Sequence, residues 1–356
     1  MTVLLDKARQ RQTRVTGVAL IALGVLIAVF FAPDATGSAT FRLSRPTDVW
    51  PVPNLVVPGG PFIYVVSALL AFLGARQFLS GAAKWSALSL GIGLAIAVAA
   101  FLVWATAGKS FSLTGMLQAS IVRAVPIALG GLAGVLSERV AVVNIGIEGM
   151  LLAGAFTGAL VGSLAGGVAG LAAAVAVGGV FGFVLAALVV TYRMDQIIAG
   201  VFINLFVLGL TSYISSQVFQ EYRALNNAPV FRTIEVPFLS DIPVIGPVFF
   251  NQNIFVYGAF MLAGLATYYL FHTRHGLRAR AVGEHPRAAD TLGINVYRTR
   301  YINVTVAGMV AGFGGAWFTL GSVGRFDEGM TGGRGYICLL YTSDAADDSK
   351  RGSWGG

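Results

Sequence analysis

The sequence predicts an all-α transmembrane protein, a polytopic helical bundle with about nine spans, and three observations carry the prediction. Hydrophobic residues make up 56% of the 356 residues and charged residues only 11%, which is more apolar surface than one soluble core could bury. The apolar residues fall into runs near the ~20 residues that a helix needs to cross a bilayer. The basic residues, which leave a net charge of +8, cluster in short segments between those runs. In a soluble chain that charge would suggest nucleic acid; between membrane spans it is an orientation signal, so no nucleic-acid partner is expected.

Nine runs qualify: 15–32, 61–78, 87–107, 117–136, 141–162, 168–192, 196–219, 254–272 and 303–324. The first is read as a retained anchor and not a cleaved signal, because no small-residue cleavage site follows it closely and a second span arrives soon after. If the N-terminus, with Lys7, Arg9, Arg11 and Arg14, lies in the cytosol, the alternate segments separate by charge. The predicted cytosolic side gains Arg76, Lys84, Arg139, Arg193, Arg274, Arg278, Arg280, Arg287, Arg298 and Arg300, against Arg42, Arg45, Lys109, Arg223 and Arg232 outside. Two predicted external segments, 33–60 and 220–253, are long. The second holds Pro229, Pro237, Pro243 and Pro247 and suits an ordered cap better than a helix, whether as connector or as docking surface.

Within the spans, Gly154, Gly158, Gly162, Gly166 and Gly170 recur every fourth residue, and Gly130/Gly134, Gly178/Gly182 and Gly308/Gly312 repeat the spacing. Small residues at this interval let helix backbones approach in lipid, where packing drives association, so a tight bundle is expected. Cys338 is the sole cysteine, and His272, His275 and His285 do not share metal-ligand spacing on one helix, so neither a disulfide nor a metal site is expected.

Few polar residues sit where they could act on a solute. The stretch from Ser137 to Gly149 places Asn144 and Glu148 one helical turn apart, with Gly146 and Gly149 beside them. A carboxylate at the centre of a span costs roughly 2.5–3.5 kcal/mol and so faces a cavity or a partner; here it either lines a solute path or pairs locally with Arg139. Asn204 likewise either lines a path or makes an interhelical hydrogen bond. Arg123 is placed to snorkel to the headgroups.

The segment 276–300 is a polar island between two apolar runs. Glu284-His285-Pro286-Arg287-Ala288-Ala289-Asp290 predicts a short helix with Pro286 in its first turn and Gly293 ending it, a structured element suited to contacting a partner. The chain contains no G-x-x-x-x-G-K-[ST] motif, so any nucleotide motor would be a separate polypeptide.

These segments resemble the permease subunits of ATP-binding-cassette importers of the simple-sugar and nucleoside class. The resemblance rests on SERVAVVNIGIEGMLLAGAFTG from Ser137, MDQIIAGVFIN from Met194, VPFLSDIPVIG from Val236, GLRARAVGEHPRAADTLGINV from Gly276 and TGGRGYI from Thr331. The GEHP and AADTLGIN spellings are most like one of the two paired permeases of nucleoside importers. The resemblance implies a transmembrane subunit in a prokaryotic cell membrane that pairs with a second permease, ABC ATPase subunits and an extracytoplasmic solute-binding lipoprotein. It implies no cofactor bound by this chain, with ATP and Mg used by the partner ATPase. It assigns Gly283, Glu284, His285, Pro286, Arg287, Ala288 and Ala289 to the ATPase-coupling loop, and Asn144, Glu148 and Asn204 to the solute pathway. The alternatives are a pentose importer, an ATP-independent secondary transporter coupled to an ion through Glu148, and a membrane scaffold with no flux.

Two departures divide the chain. Residues 1–112 form an N-terminal extension with three spans, ahead of a permease core at 113–337. From Cys338 the sequence reads CLLYTSDAADDSKRGSWGG, whose first six residues back-translate as TGT CTC TTA TAC ACA TCT, similar to a transposon-end sequencing adaptor read in frame. The expectation is that 338–356 is not natural protein and that the spans which would follow are missing.

Overall fold

Short polar breaks between long apolar runs make almost every described segment a helix, since backbone groups in lipid must be satisfied within the segment. The computed structural model describes residues 2–44, 52–80 and 86–338. Most of the predicted tail, together with Arg45 and Lys84, lies outside them. Nine described helices are long and apolar enough to cross a membrane. The chain divides into two compact units, 1–118 with 237–248, and 119–236 with 249–356.

The first unit contains α1 (Thr2–Phe30), α2 (Gly59–Ser80) and α3 (Ser86–Ala105). α1 and α2 cross at a glycine pair: a Cβ on Gly17 would lie 2.8 Å from the Gly74 carbonyl oxygen, and one on Gly74 would lie 2.6 Å from that of Gly17. Leu20, Ile27, Ile63, Val66, Leu70, Ala100 and Val103 fill the core, and Phe31 stacks on Trp104 with ring centroids 4.6 Å apart. The predicted external segment 33–60 contributes two strands, β1 (Ser38–Arg42) and β2 (Leu55–Pro58), to a small sheet in the order β2-β1-β3, whose third strand is β3 (Ser110–Ser112). β1 pairs antiparallel with β2 and parallel with β3, a β component that the all-α reading did not include.

The second unit is built on α4 (Leu113–Glu138, which starts in the first unit), α5 (Ile147–Ala165), α6 (Gly167–Ala186), α7 (Gln196–Ile214), α8 (Ile254–His272), α9 (Arg274–Glu284), α10 (Pro286–Thr291) and α11 (Val296–Phe318). Polar side chains cap the starts of several: Asp195 accepts from Ile197 and Ile198 N–H, Asn253 from Val256, Thr273 from Gly276 and Asn295 from Arg298. Such a cap is worth ~1 kcal/mol, so Asp195→Ala is expected to cost about that much in a detergent unfolding midpoint series. π-helical turns at Ala187–Thr191, Ser215–Phe219 and Thr319–Val323 extend α6, α7 and α11. A two-stranded ribbon, β4 (Ile234–Glu235) with β5 (Asn251–Gln252), lies in the Pro-rich segment.

The glycines let α5, α6 and α11 pack backbone to backbone. Gly154 abuts Gly312, Gly178 and Gly308 abut each other, and a Cβ on Gly170 would fall 2.6 Å from the Gly158 carbonyl oxygen. The four-residue repeat is nevertheless not one stripe on one helix. Gly166, at φ +90°, is the turn between α5 and α6, so Gly158 and Gly162 face Gly170 across a hairpin. Gly308→Leu is therefore expected to prevent α6 and α11 from seating, with little folded protein recovered in a size-exclusion assay. Gly131→Leu, at a position open to surroundings, is expected to be tolerated.

Three sequence expectations are corrected. α5 begins at Ile147 and not at 141, because Ala141 adopts a left-handed φ of 57° and the backbone runs non-helically to Gly146. Asn144 thus precedes the helix and is not one helical turn from Glu148. The polar island is mostly helix, since α9 takes its first half and α11 starts at Val296.

Candidate functional site

A carboxylate in the first turn of an apolar helix needs donors, and here it takes them from a glycine-rich segment far along the chain. Glu148 Oε1 accepts from Thr331 Oγ1 at 2.6 Å and from Gly333 N–H at 2.8 Å, while Oε2 accepts from Gly335 N–H at 2.7 Å. These groups, and not Arg139, satisfy Glu148, which lies in the first turn of α5. Gly335 is needed because a Cβ there would sit 2.6 Å from Glu148 N. Arg334 folds away from the carboxylate, donating to the carbonyls of Met330 and Thr331 with its guanidinium 5.2 Å from the Phe318 ring.

Asn204 ties the same region to α7. Its Oδ1 accepts from Gly149 N–H at 2.7 Å, and its Nδ2 donates to the Ile145 carbonyl at 2.9 Å and to Tyr336 Oη at 3.0 Å. Asn204 therefore makes an interhelical hydrogen bond between α7 and α5. Asn204→Leu would leave the buried Gly149 N–H unpaired, and a loss of ~1–3 kcal/mol is expected, read as a lower unfolding temperature in detergent. Asn144 is fully buried, with Nδ2 3.7 Å from Met150 Sδ and Oδ1 without a partner among the described residues. Cys338 closes the segment from the other side, its Sγ donating to the carbonyls of Ile127 and Arg334 at 3.0 Å. Thr331, Gly333, Gly335 and Tyr336 were not read from the sequence as partners of Glu148 and Asn204. The available signal was a lone intramembrane acid together with a segment, TGGRG, able to present several bare N–H groups.

The predicted short helix is α10, with Pro286 in its first turn and Gly293 at φ +80° just beyond it. The residues 283–289, at the end of α9 and the start of α10, divide between two faces. Ala289 is buried, and Gly283 lies against the Arg139 carbonyl, so these two seat the element. Glu284, His285, Arg287 and Ala288 are exposed, and Pro286 is half-buried. Beside them Leu292 is 80% and Leu277 60% exposed, two apolar positions that the sequence reading did not single out. Among the described residues the only ion pair joins Arg325 to Asp327, so Glu284 and Arg287 have no charge partner among those residues.

The comparisons with known proteins bear on this arrangement. A family described as "branched-chain amino acid transport system / permease component" matches residues 116–339. The guanosine ABC transporter permease NupQ of Bacillus subtilis (strain 168) is 39% identical over 63% of this chain and 73% of its own length. The nucleoside ABC transporter permease NupC of Lactococcus lactis subsp. cremoris is 37% identical over 62% of this chain and 71% of its own. A putative glucose ABC transporter permease of Haloferax volcanii, TsgC13, is 34% identical over 63% and 68% respectively. No solved structure matches. With the family match running from α4 through the Glu148-bound segment, this multi-pass membrane chain belongs to the branched-chain amino acid transport system permease component family.

Proposed function

We propose that the chain is the permease subunit of an ATP-driven importer and that its solutes are nucleosides. The observation that supports the solute most is the identity to NupQ and NupC, 39% over 232 residues and 37% over 227 residues. The chain works beside a second permease, with ABC ATPase subunits on the side of α10 and a solute-binding lipoprotein on the other. ATP and Mg belong to those ATPases, and this chain carries out no hydrolysis itself. The N-terminus lies in the cytoplasm, on the side of α9 and α10, as the distribution of basic residues favours.

In this reading Glu284, His285, Pro286, Arg287 and Ala288 engage the ATPase, with Gly283 and Ala289 holding them in place. Asn144, Glu148 and Asn204 sit at the solute path. Glu148 and Asn204, already hydrogen-bonded within the protein, close it by gathering the 331–336 segment, and the buried Asn144 Oδ1, which has no partner among the described residues, is the acceptor offered to a solute N–H or O–H when the path opens. A simple sugar is the second reading, favoured by the 34% identity to TsgC13.

Uptake of labelled guanosine by cells expressing the importer, competed with excess unlabelled nucleosides or sugars, tests the assignment. Competition by nucleosides alone is expected. Absence of guanosine uptake together with uptake of labelled glucose or ribose would move the assignment to sugars, and transport of neither would overturn both readings.

A further inference from the structure

The segment 139–146 joins α4 to α5 without being helical after Ala141, and its backbone groups are held from two sides. At its start, Gly283 of α9 lies against the Arg139 carbonyl, close enough that no Cβ fits, and Arg300 Nε of α11 donates to the Val140 carbonyl at 3.1 Å. Further on, α7 takes over. Gln196 Oε1 accepts from Val143 N–H at 2.7 Å, Gln196 Nε2 donates to the Ala141 carbonyl at 3.4 Å, and Asn204 Nδ2 donates to the Ile145 carbonyl. Gly200 allows the contact, since a Cβ there would fall 2.9 Å from Gly146 N. Just beyond this point Gly149 N–H reaches Asn204 Oδ1, and Glu148 gathers the 331–335 segment.

We infer that 139–146 is the strut that carries displacement of the coupling helices to α7 and to the Glu148 knot, with Arg300 and Gln196 as its positioning residues. A backbone pinned every second residue by side chains of packed helices moves with them and does not bend, because lost hydrogen bonds would have to be replaced at each pin. α9 and α11 grip the start of the strut, and α7 grips its far half through Gln196, Gly200 and Asn204. A displacement of α9 therefore reaches the carboxylate knot through a short run of backbone. The grip of Gln196 lies in an exposed region, so it can be removed without opening the core.

This inference rests on the importer reading, and one experiment separates the two. The assembled importer in proteoliposomes is assayed for ATP hydrolysed and labelled guanosine taken up, for wild type, Arg300→Met, Arg300→Lys and Gln196→Leu. The strut predicts that Gln196→Leu and Arg300→Met keep ATP hydrolysis while solute imported per ATP falls on the order of tenfold, with partial rescue in Arg300→Lys. A ratio within about twofold of wild type in both variants would overturn it, since a broken hydrogen-bonded grip should cost more. Failure of the wild-type assembly to import with ATP would overturn the importer reading instead. A second measurement needs neither variant: spin labels at the exposed positions Val143 and Ile198 of the assembled importer should keep one mutual distance with and without ATP. A nucleotide-dependent change in that distance would show that loop and α7 do not move together and would also overturn the strut.

Discussion

Glu148→Ala is expected to abolish solute uptake and to destabilise the folded chain by on the order of 3 kcal/mol, seen as a lower unfolding temperature in detergent. The carboxylate takes three hydrogen bonds from the 331–335 segment, and hydrogen bonds to a carboxylate contribute about 1.5–3 kcal/mol each without adding fully. Without it, the Thr331 hydroxyl and the N–H groups of Gly333 and Gly335 lose their acceptor in a low-dielectric setting. Glu148→Gln is expected to do less harm to stability, because it keeps the volume and one acceptor oxygen, yet it turns an NH₂ toward one of the donors. Uptake in this variant should be reduced together with stability. An ion-coupled transporter working through Glu148 would behave otherwise, with uptake lost, stability kept and transport following an imposed ion gradient.

Reversing the exposed charges at the junction of α9 and α10 is expected to have the other large effect. In Glu284→Arg/Arg287→Glu the chain should fold and assemble in the membrane as before, because both side chains are exposed and surface changes of this kind usually stay within about 0.5 kcal/mol. ATP-dependent uptake should fall on the order of a hundredfold if these residues make the proposed ATPase contact, because like charges brought together at an interface cost several kcal/mol. Leu292→Asp should reproduce much of the loss, as a charge placed on the apolar knob beside those residues. Membrane-extract abundance of the chain and co-purification of the ATPase separate a docking defect from a folding defect.

Much of this architecture was readable because lipid imposes simple rules. Spans at 196–219 and 254–272 coincide with α7 and its π-turn and with α8, since an uninterrupted apolar run leaves only a helix to satisfy the backbone. The proline and glycine around α10 marked its two ends for the same local reason. What the sequence hid were long-range partnerships. Nothing near Glu148 indicates that its donors lie at Thr331, Gly333 and Gly335, and nothing near Asn204 points to Tyr336. The break at Ala141 was also missed. Ala and Val are ordinary helix or strand residues, and only the tertiary grip of Gln196, Asn204 and Arg300 makes the open conformation at 141–146 preferable. The small sheet at Ser38–Arg42, Leu55–Pro58 and Ser110–Ser112 escaped because its third strand is separated from the other two by two spans.

The most direct test is uptake of labelled guanosine into proteoliposomes that contain this chain with the proposed second permease and ATPase, supplied with the proposed binding lipoprotein and loaded with ATP or ADP. Concentrative uptake with ATP, none with ADP, and loss of uptake on charge reversal at Glu284 and Arg287 is the predicted result. Uptake that proceeds equally with ADP, or that survives the charge reversal unchanged, would contradict a permease driven through α10.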